Sequence, residues 1–163
     1  MRKAFTLLIL FTALLFAAGC IENFKENSTD SQNISEKSVV VEATQLEQIN
    51  ASLEKGPVLI KMGAEWCDSC KEMEPILSQL AAEYGGRVTV MSIDIDRSPQ
   101  LANYFGYSVI PDTSVIAGIK NGEYVYMRMD GNVITDRFKA RILGTADKSV
   151  LDKTLDFALQ KQI

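Results

Sequence analysis

Trp66-Cys67-Asp68-Ser69-Cys70-Lys71 follows closely on the apolar run Val58-Leu59-Ile60 and opens a stretch with helical periodicity. In that stretch Met73, Ile76, Leu77, Leu80, Ala81 and Tyr84 recur at i, i+3, i+4, i+7, i+8 and i+11, which is one broad apolar helix face. The pattern therefore reads as a central strand feeding a helix whose first turn carries two thiols. Cysteines at i and i+3 lie on one side of a helix, close enough to be joined. The unpaired N–H groups of the first turn also stabilise a thiolate on the first sulfur. Cys67 is the expected nucleophile, and Cys70, one turn deeper, the expected resolving thiol. A free thiol titrates near about 8.5, and in such settings the value falls to roughly 3.5–7.5, each unit being about 1.4 kcal/mol of preference for the charged form. The competing reading of the pair is half a zinc site. Structural zinc takes four ligands, whereas the chain has no histidine and its only other cysteine is Cys20, so no metal is expected.

The surrounding residues carry a family likeness. Ala64-Glu65-Trp66-Cys67, Cys70-Lys71, Pro75-Ile76-Leu77 and Ala82-Glu83-Tyr84 resemble the active-site strand, motif and second helix of thioredoxin. Val88-Thr89-Val90 with Ile93-Asp94-Ile95-Asp96 is similar to the next strand, and Ser98-Pro99 to the short helix after it. Gly106 with Val109-Ile110-Pro111 is similar to the loop before the fourth strand, and Lys120-Asn121-Gly122-Glu123 to the hairpin turn. The likeness runs from about Val39 to Lys161. It implies a thioredoxin-like α/β fold, a mixed central β-sheet flanked by helices, and thiol–disulfide exchange with Cys67–Cys70 as the only redox group and no cofactor. It also implies a cis peptide bond before Pro111, and a substrate-binding surface made of Trp66, Ile110 and Pro111.

The coarse element reading agrees. Val39–Glu42 reads as a strand and Gln45–Leu53 as a helix stopped by Gly56-Pro57; Pro75 should kink the second helix, and Gly85-Gly86 end it. Thr113–Ile119 reads as the fourth strand. Tyr124–Met129 and Phe138–Leu143 read as two more, separated by the turn signal Asp130-Gly131-Asn132. The family pattern needs only one strand there before Gly144, so an extended hairpin or extra strand is expected. Lys148–Lys161 reads as the last helix.

Several positions depart from the family pattern. Lys61 stands where thioredoxins usually carry a buried carboxylate, and Ser92 where they carry its lysine partner, so the usual proton relay cannot be carried over. Lys61 either snorkels outward or sits below the thiols with a lowered pKa. Glu65 is a nearby candidate base. Asp112 replaces the commoner threonine, and an acid there is expected to disfavour acidic partners. Asp68 and Ser69 lie between the cysteines and, with Lys61, are the expected tuners of the couple.

The N-terminus bears on location. Arg2-Lys3 and the uncharged stretch Ala4–Ala18 have the form of a secretory signal, and Ala17-Ala18-Gly19-Cys20 resembles a lipobox with Ala17 in place of the commoner leucine. The expected organisation is a signal peptide over 1–19, a lipid-anchored tether over 20–37 beginning at lipidated Cys20, and a thioredoxin-like domain over 38–163. An uncleaved anchor is the rival, because Ala4–Ile21 is charge-free and borderline in length for a bilayer span. Either arrangement puts the domain outside the membrane. Residues from Ile21 to Lys37 are polar enough to read as a flexible tether. Asn27, Asn33 and Asn50 each begin a glycosylation-type triplet.

The chain has 163 residues, of which 47% are hydrophobic, enough for one cored domain. Its formal net charge is -4, and loss of residues 1–19 removes Arg2 and Lys3 and no acid, so the balance becomes more negative. No basic stripe points to nucleic acid. The expectation is a monomeric, extracytoplasmic oxidoreductase of protein or small-molecule disulfides, recharged by a membrane or thiol electron donor. A disulfide-introducing oxidase and a redox-regulated substrate-holding module are the alternatives.

Overall fold

The computed structural model describes residues 39–161 and Ile163. The expected signal peptide, tether and anchor, with Cys20, Asn27 and Asn33, lie outside those residues. Among the described residues no helix is long and apolar enough to cross a membrane.

The elements run in chain order as β1 (Val41–Glu42), α1 (Leu46–Leu53), β2 (Val58–Gly63), α2 (Asp68–Glu83), β3 (Thr89–Asp94), α3 (Pro99–Phe105), β4 (Asp112–Lys120) and β5 (Glu123–Met127). They are followed by β6 (Val133–Ile134), a 3-10 turn (Arg137–Lys139), β7 (Ile142–Leu143) and α4 (Lys148–Gln160). The sheet order is β1-β3-β2-β4-β5-β6, with β7 paired to the start of β4. β1, β3 and β2 are parallel to one another, β4 runs antiparallel to β2, and β5 runs antiparallel to β4.

Period-two alternation decides what β2 presents to each face. Val58, Ile60 and Met62 join Ile49, Leu101 and Phe105 on the side covered by α1 and α3. Leu59 joins Met73, Leu77, Leu80, Leu151 and Leu155 on the side covered by α2 and α4. Lys61 and Gly63 share the parity of Leu59 and so point toward α2. Each fully buried aliphatic side chain contributes about 1.5–3 kcal/mol, so this two-sided core holds β2 firmly in the middle of the sheet. The β4–β5 hairpin closes through Asn121 and Gly122, with φ of 54° and 82°, the left-handed pair that a two-residue hairpin turn requires. Pro75 lies inside α2, which continues through it.

The segment after β5 departs from the expected second strand. Asp130-Gly131-Asn132 does form a turn, and Val133–Ile134 returns along β5. Phe138–Leu143 is not one strand. The Asp136 carboxylate accepts the Phe138 N–H at 3.0 Å and nucleates the 3-10 turn, so only Ile142–Leu143 remains extended and pairs with Asp112–Thr113. Asn50, one of the glycosylation-type positions, sits in α1 with its Oδ1 accepting the Tyr124 hydroxyl at 2.5 Å. Its side chain thus has a structural partner.

Candidate active site

The two cysteines meet at the N-terminus of α2 and are joined as a disulfide, with Cα atoms 5.2 Å apart. Cys67 is the N-cap residue, and its sulfur accepts the Cys70 N–H at 3.2 Å. The Ser69 hydroxyl stands 3.4 Å from the same sulfur. Negative charge developing on Cys67 therefore meets a helix N-terminus and two hydrogen-bond donors. Cys67 is 7% exposed and Cys70 1%, so the first cysteine is the more accessible of the two.

Asp68 is highly exposed, and its carboxylate pairs with Lys71 at 3.2 Å. That pairing offsets part of the repulsion it exerts on a Cys67 thiolate. Trp66 is 66% exposed, and its indole N–H donates to the Asp96 carboxylate at 2.7 Å, which fixes an open apolar ring beside the disulfide. Ile110 packs against the cluster of Ala64, Cys67 and Cys70, and the Ile110–Pro111 bond is cis. Trp66, Ile110 and the cysteines are thus brought to one end of the sheet, with Pro111 buried behind Ile110. Glu65 is exposed.

Lys61 does not snorkel into solvent. It is 6% exposed, because β2 is covered on both faces. Its Nζ lies 2.9 Å, and the Cys70 Sγ 3.0 Å, from the point where a Cβ on Gly63 would sit. The amine and the sulfur therefore flank one small notch. Burial pushes the Lys61 pKa below the usual lysine range, opposed by the nearby charges of Glu74 and Asp94.

Asp112 corrects a second expectation. It is fully buried and does not face partners. Its Oδ1 accepts from Arg137 Nη2 at 2.5 Å and its Oδ2 from Arg141 Nη1 at 3.5 Å. Burial raises the Asp112 pKa, and the two guanidinium groups pull it back down. Arg137 also donates to the carbonyls of Phe105 and Gly106, at 3.3 and 2.6 Å. The Phe138 ring lies over Gly106, where φ is +70° and an added Cβ would come within 2.8 Å of the ring. The segment after β6 thus ties both ends of the Gly106–Pro111 loop, which presents Ile110 to the disulfide. Nothing local in the sequence marks Arg137 for this part, since arginine is rarely buried.

Among the described residues no group of three or more histidine, cysteine or acidic side chains is placed to hold a metal ion. A dithiol–disulfide couple at a helix start, with a cis proline loop beside it on a mixed sheet, defines a thiol–disulfide oxidoreductase of thioredoxin-like fold. Residues 36–143 match the thioredoxin family model, and the chain belongs to the thioredoxin family. It is similar to thioredoxin 1 of Nostoc, with 28% identity over 100 residues, 61% of this chain and 78% of that one. A Chlamydia muridarum thioredoxin is 48% identical over 60 residues, 37% of this chain and 58% of its own length. Among solved structures, a mutant thioredoxin from Halobacterium salinarum superposes with a TM-score of 0.57 at 20% identity, covering 78% of this chain and 96% of that one. Thioredoxin from Trypanosoma brucei brucei gives 0.58 at 17% identity, covering 78% and 97%.

Proposed function

We propose that this chain is a membrane-tethered, extracytoplasmic reductase of disulfides, with Cys67 as nucleophile and Cys70 as resolving thiol. The observation that carries the roles is the contrast between the two sulfurs. Cys67 caps the helix and has residual access, whereas Cys70 is sealed beneath it. Trp66 and Ile110 offer a substrate chain an apolar surface beside that sulfur.

The direction of electron flow follows from what stands between the cysteines. Strong oxidants of this kind gain their power from a highly stabilised thiolate in the reduced form. Asp68 and Ser69 bring no positive charge, and the Lys61 amine sits by Cys70 under a desolvation penalty that favours its neutral form. The dithiol is accordingly less stabilised and the disulfide harder to reduce. Equilibration of the protein with glutathione is expected to give a couple nearer to thioredoxin, at about -270 mV, than to a strong periplasmic oxidant, at about -120 mV. A value above about -180 mV would favour the oxidase reading instead.

Location rests on the N-terminal sequence alone. With Cys20 lipidated, Cys20→Ala is expected to move the protein out of the membrane fraction, because acyl chains supply most of the affinity of such an anchor. Full retention of the variant, with its N-terminal stretch still attached, would point to an uncleaved anchor. The electron source is then a membrane conduit or another thiol donor, because each turnover leaves the Cys67–Cys70 pair oxidised and it must be reduced again.

A further inference from the structure

Attack by Cys70 requires that its thiol lose a proton in a place where water does not reach it, since the residue is 1% exposed. An apolar setting of that kind raises a thiol's pKa, so unaided ionisation near neutral pH is rare. The carboxylates near the site are poorly placed. Glu65 and Glu74 are exposed, and Asp94 is engaged by the N–H groups of Asp96 and Arg97 and by the Arg97 side chain at 3.8 Å. Lys61 is different. Its Nζ and the Cys70 Sγ lie 2.9 and 3.0 Å from the point where a Cβ on Gly63 would sit, so both border the small space that glycine leaves open. No hydrogen bond or ion pair holds the amine elsewhere among the described residues.

We infer that Lys61 accepts the Cys70 proton in the resolving step, a role that rests on the reading of Cys67 as nucleophile and Cys70 as resolving thiol. In the step, Cys70 S–H gives its proton to the neutral Lys61 amine and its sulfur attacks the Cys67 sulfur. The Cys67–Cys70 bond forms and the bond between Cys67 and the substrate sulfur breaks. The substrate leaves as a thiolate, having gained two electrons overall, while the dithiol of the protein becomes a disulfide. The lysine ammonium then releases its proton through a cleft that borders Lys61, Glu42, Glu65, Glu74, Asp94 and Arg97.

The surroundings suit this use. Burial favours the uncharged amine, and the charges of Glu74 on α2 and Asp94 on β3 favour the protonated one. Lys61 pairs across the sheet with Ser92 on one side and Thr113 on the other, and the Thr113 hydroxyl is buried without a partner. This polar row leaves the amine unneutralised by any direct ion pair.

The test uses the full-length chain with Cys20→Ser, so that only the pair reacts, and dithiobisnitrobenzoate as the disulfide probe. The reduced protein releases a first coloured thiolate as Cys67 is modified and a second as Cys70 resolves the adduct. For Lys61→Met the first phase is expected to be unchanged and the second slowed at least about tenfold near neutral pH, general-base contributions being roughly 10²–10⁴-fold. The pH midpoint of the second phase should also rise toward or beyond the free-thiol value of about 8.5. Lys61→Arg should behave like Lys61→Met, because a guanidinium keeps its charge but does not take up a further proton. A second phase in Lys61→Met with wild-type rate and midpoint would overturn the assignment. Restoration by Lys61→Arg would overturn it too, in favour of a purely electrostatic role. Absence of a first phase in the parent chain would instead sink the Cys67 reading, and the proposal with it.

Discussion

Cys70→Ser is expected to hold substrate as a mixed disulfide on Cys67 for a time on the order of minutes to hours, that of uncatalysed disulfide rearrangement. Cys67→Ser is expected to trap almost none. The difference follows from the two environments. Cys67 keeps 7% of its surface and has the Cys70 N–H and the Ser69 hydroxyl aimed at its sulfur, which lowers the cost of the thiolate. With serine at position 70 that sulfur can still attack, but the hydroxyl beneath it cannot complete the exchange. With serine at position 67 the remaining thiol is 1% exposed and out of a substrate's reach. Turnover should vanish in both variants, so the informative readout is the adduct, seen as a mass increase under non-reducing conditions. Equal trapping by the two variants would contradict the division of labour.

How far the sequence revealed the site depended on whether its signals were local. The CxxC pair and the periodicity of α2 act within a few residues, and each was legible; the Asn121-Gly122 turn was read through the family likeness. The cis bond before Pro111 was legible only through family likeness, since most X–Pro bonds in folded proteins are trans. Lys61 was half legible. Alternation along β2 places it on the same face as Leu59, but only the packing of α2 over that face buries it, leaving it at the border of a cleft. The segment from Phe138 to Leu143 misled because Phe138, Ala140 and Ile142 alternate as a strand does. Phe138 in fact stays 53% exposed, its ring lying over Gly106, while Ala140 and Ile142 are buried. Asp112 looked like a surface acid because its partners, Arg137 and Arg141, come from an element far along the chain. Side-chain pairing at that separation leaves no periodicity to read.

That buried cluster should dominate the stability of the active-site loop. Arg137→Met is expected to cost about 3–5 kcal/mol at neutral pH, the usual loss when one partner of a buried ion pair is removed. This is a large share of a typical total of about 5–15 kcal/mol. The mechanism is desolvation rather than lost attraction. Asp112 is fully buried, and without Arg137 its carboxylate keeps only Arg141 at 3.5 Å, while the carbonyls of Phe105 and Gly106 lose their donor. The pH dependence has a definite sign. Burial already raises the Asp112 pKa, and removing Arg137 takes away the largest opposing influence, so in the variant the folded-state value rises further above the unfolded value of about 3.9. A group raised in the folded state favours folding below its unfolded pKa and loses that contribution as pH climbs through its folded pKa. The deficit of Arg137→Met relative to wild type should therefore be greatest near neutrality and shrink on acidification toward about pH 4, where Asp112 can be buried as the neutral acid. Urea unfolding at the two pH values measures this directly. Adding Asp112→Asn to Arg137→Met should recover part of the loss at neutral pH, because it removes the orphaned charge. A single variant within about 1 kcal/mol of wild type, or a double variant less stable than the single, would show that the pair does not hold this loop.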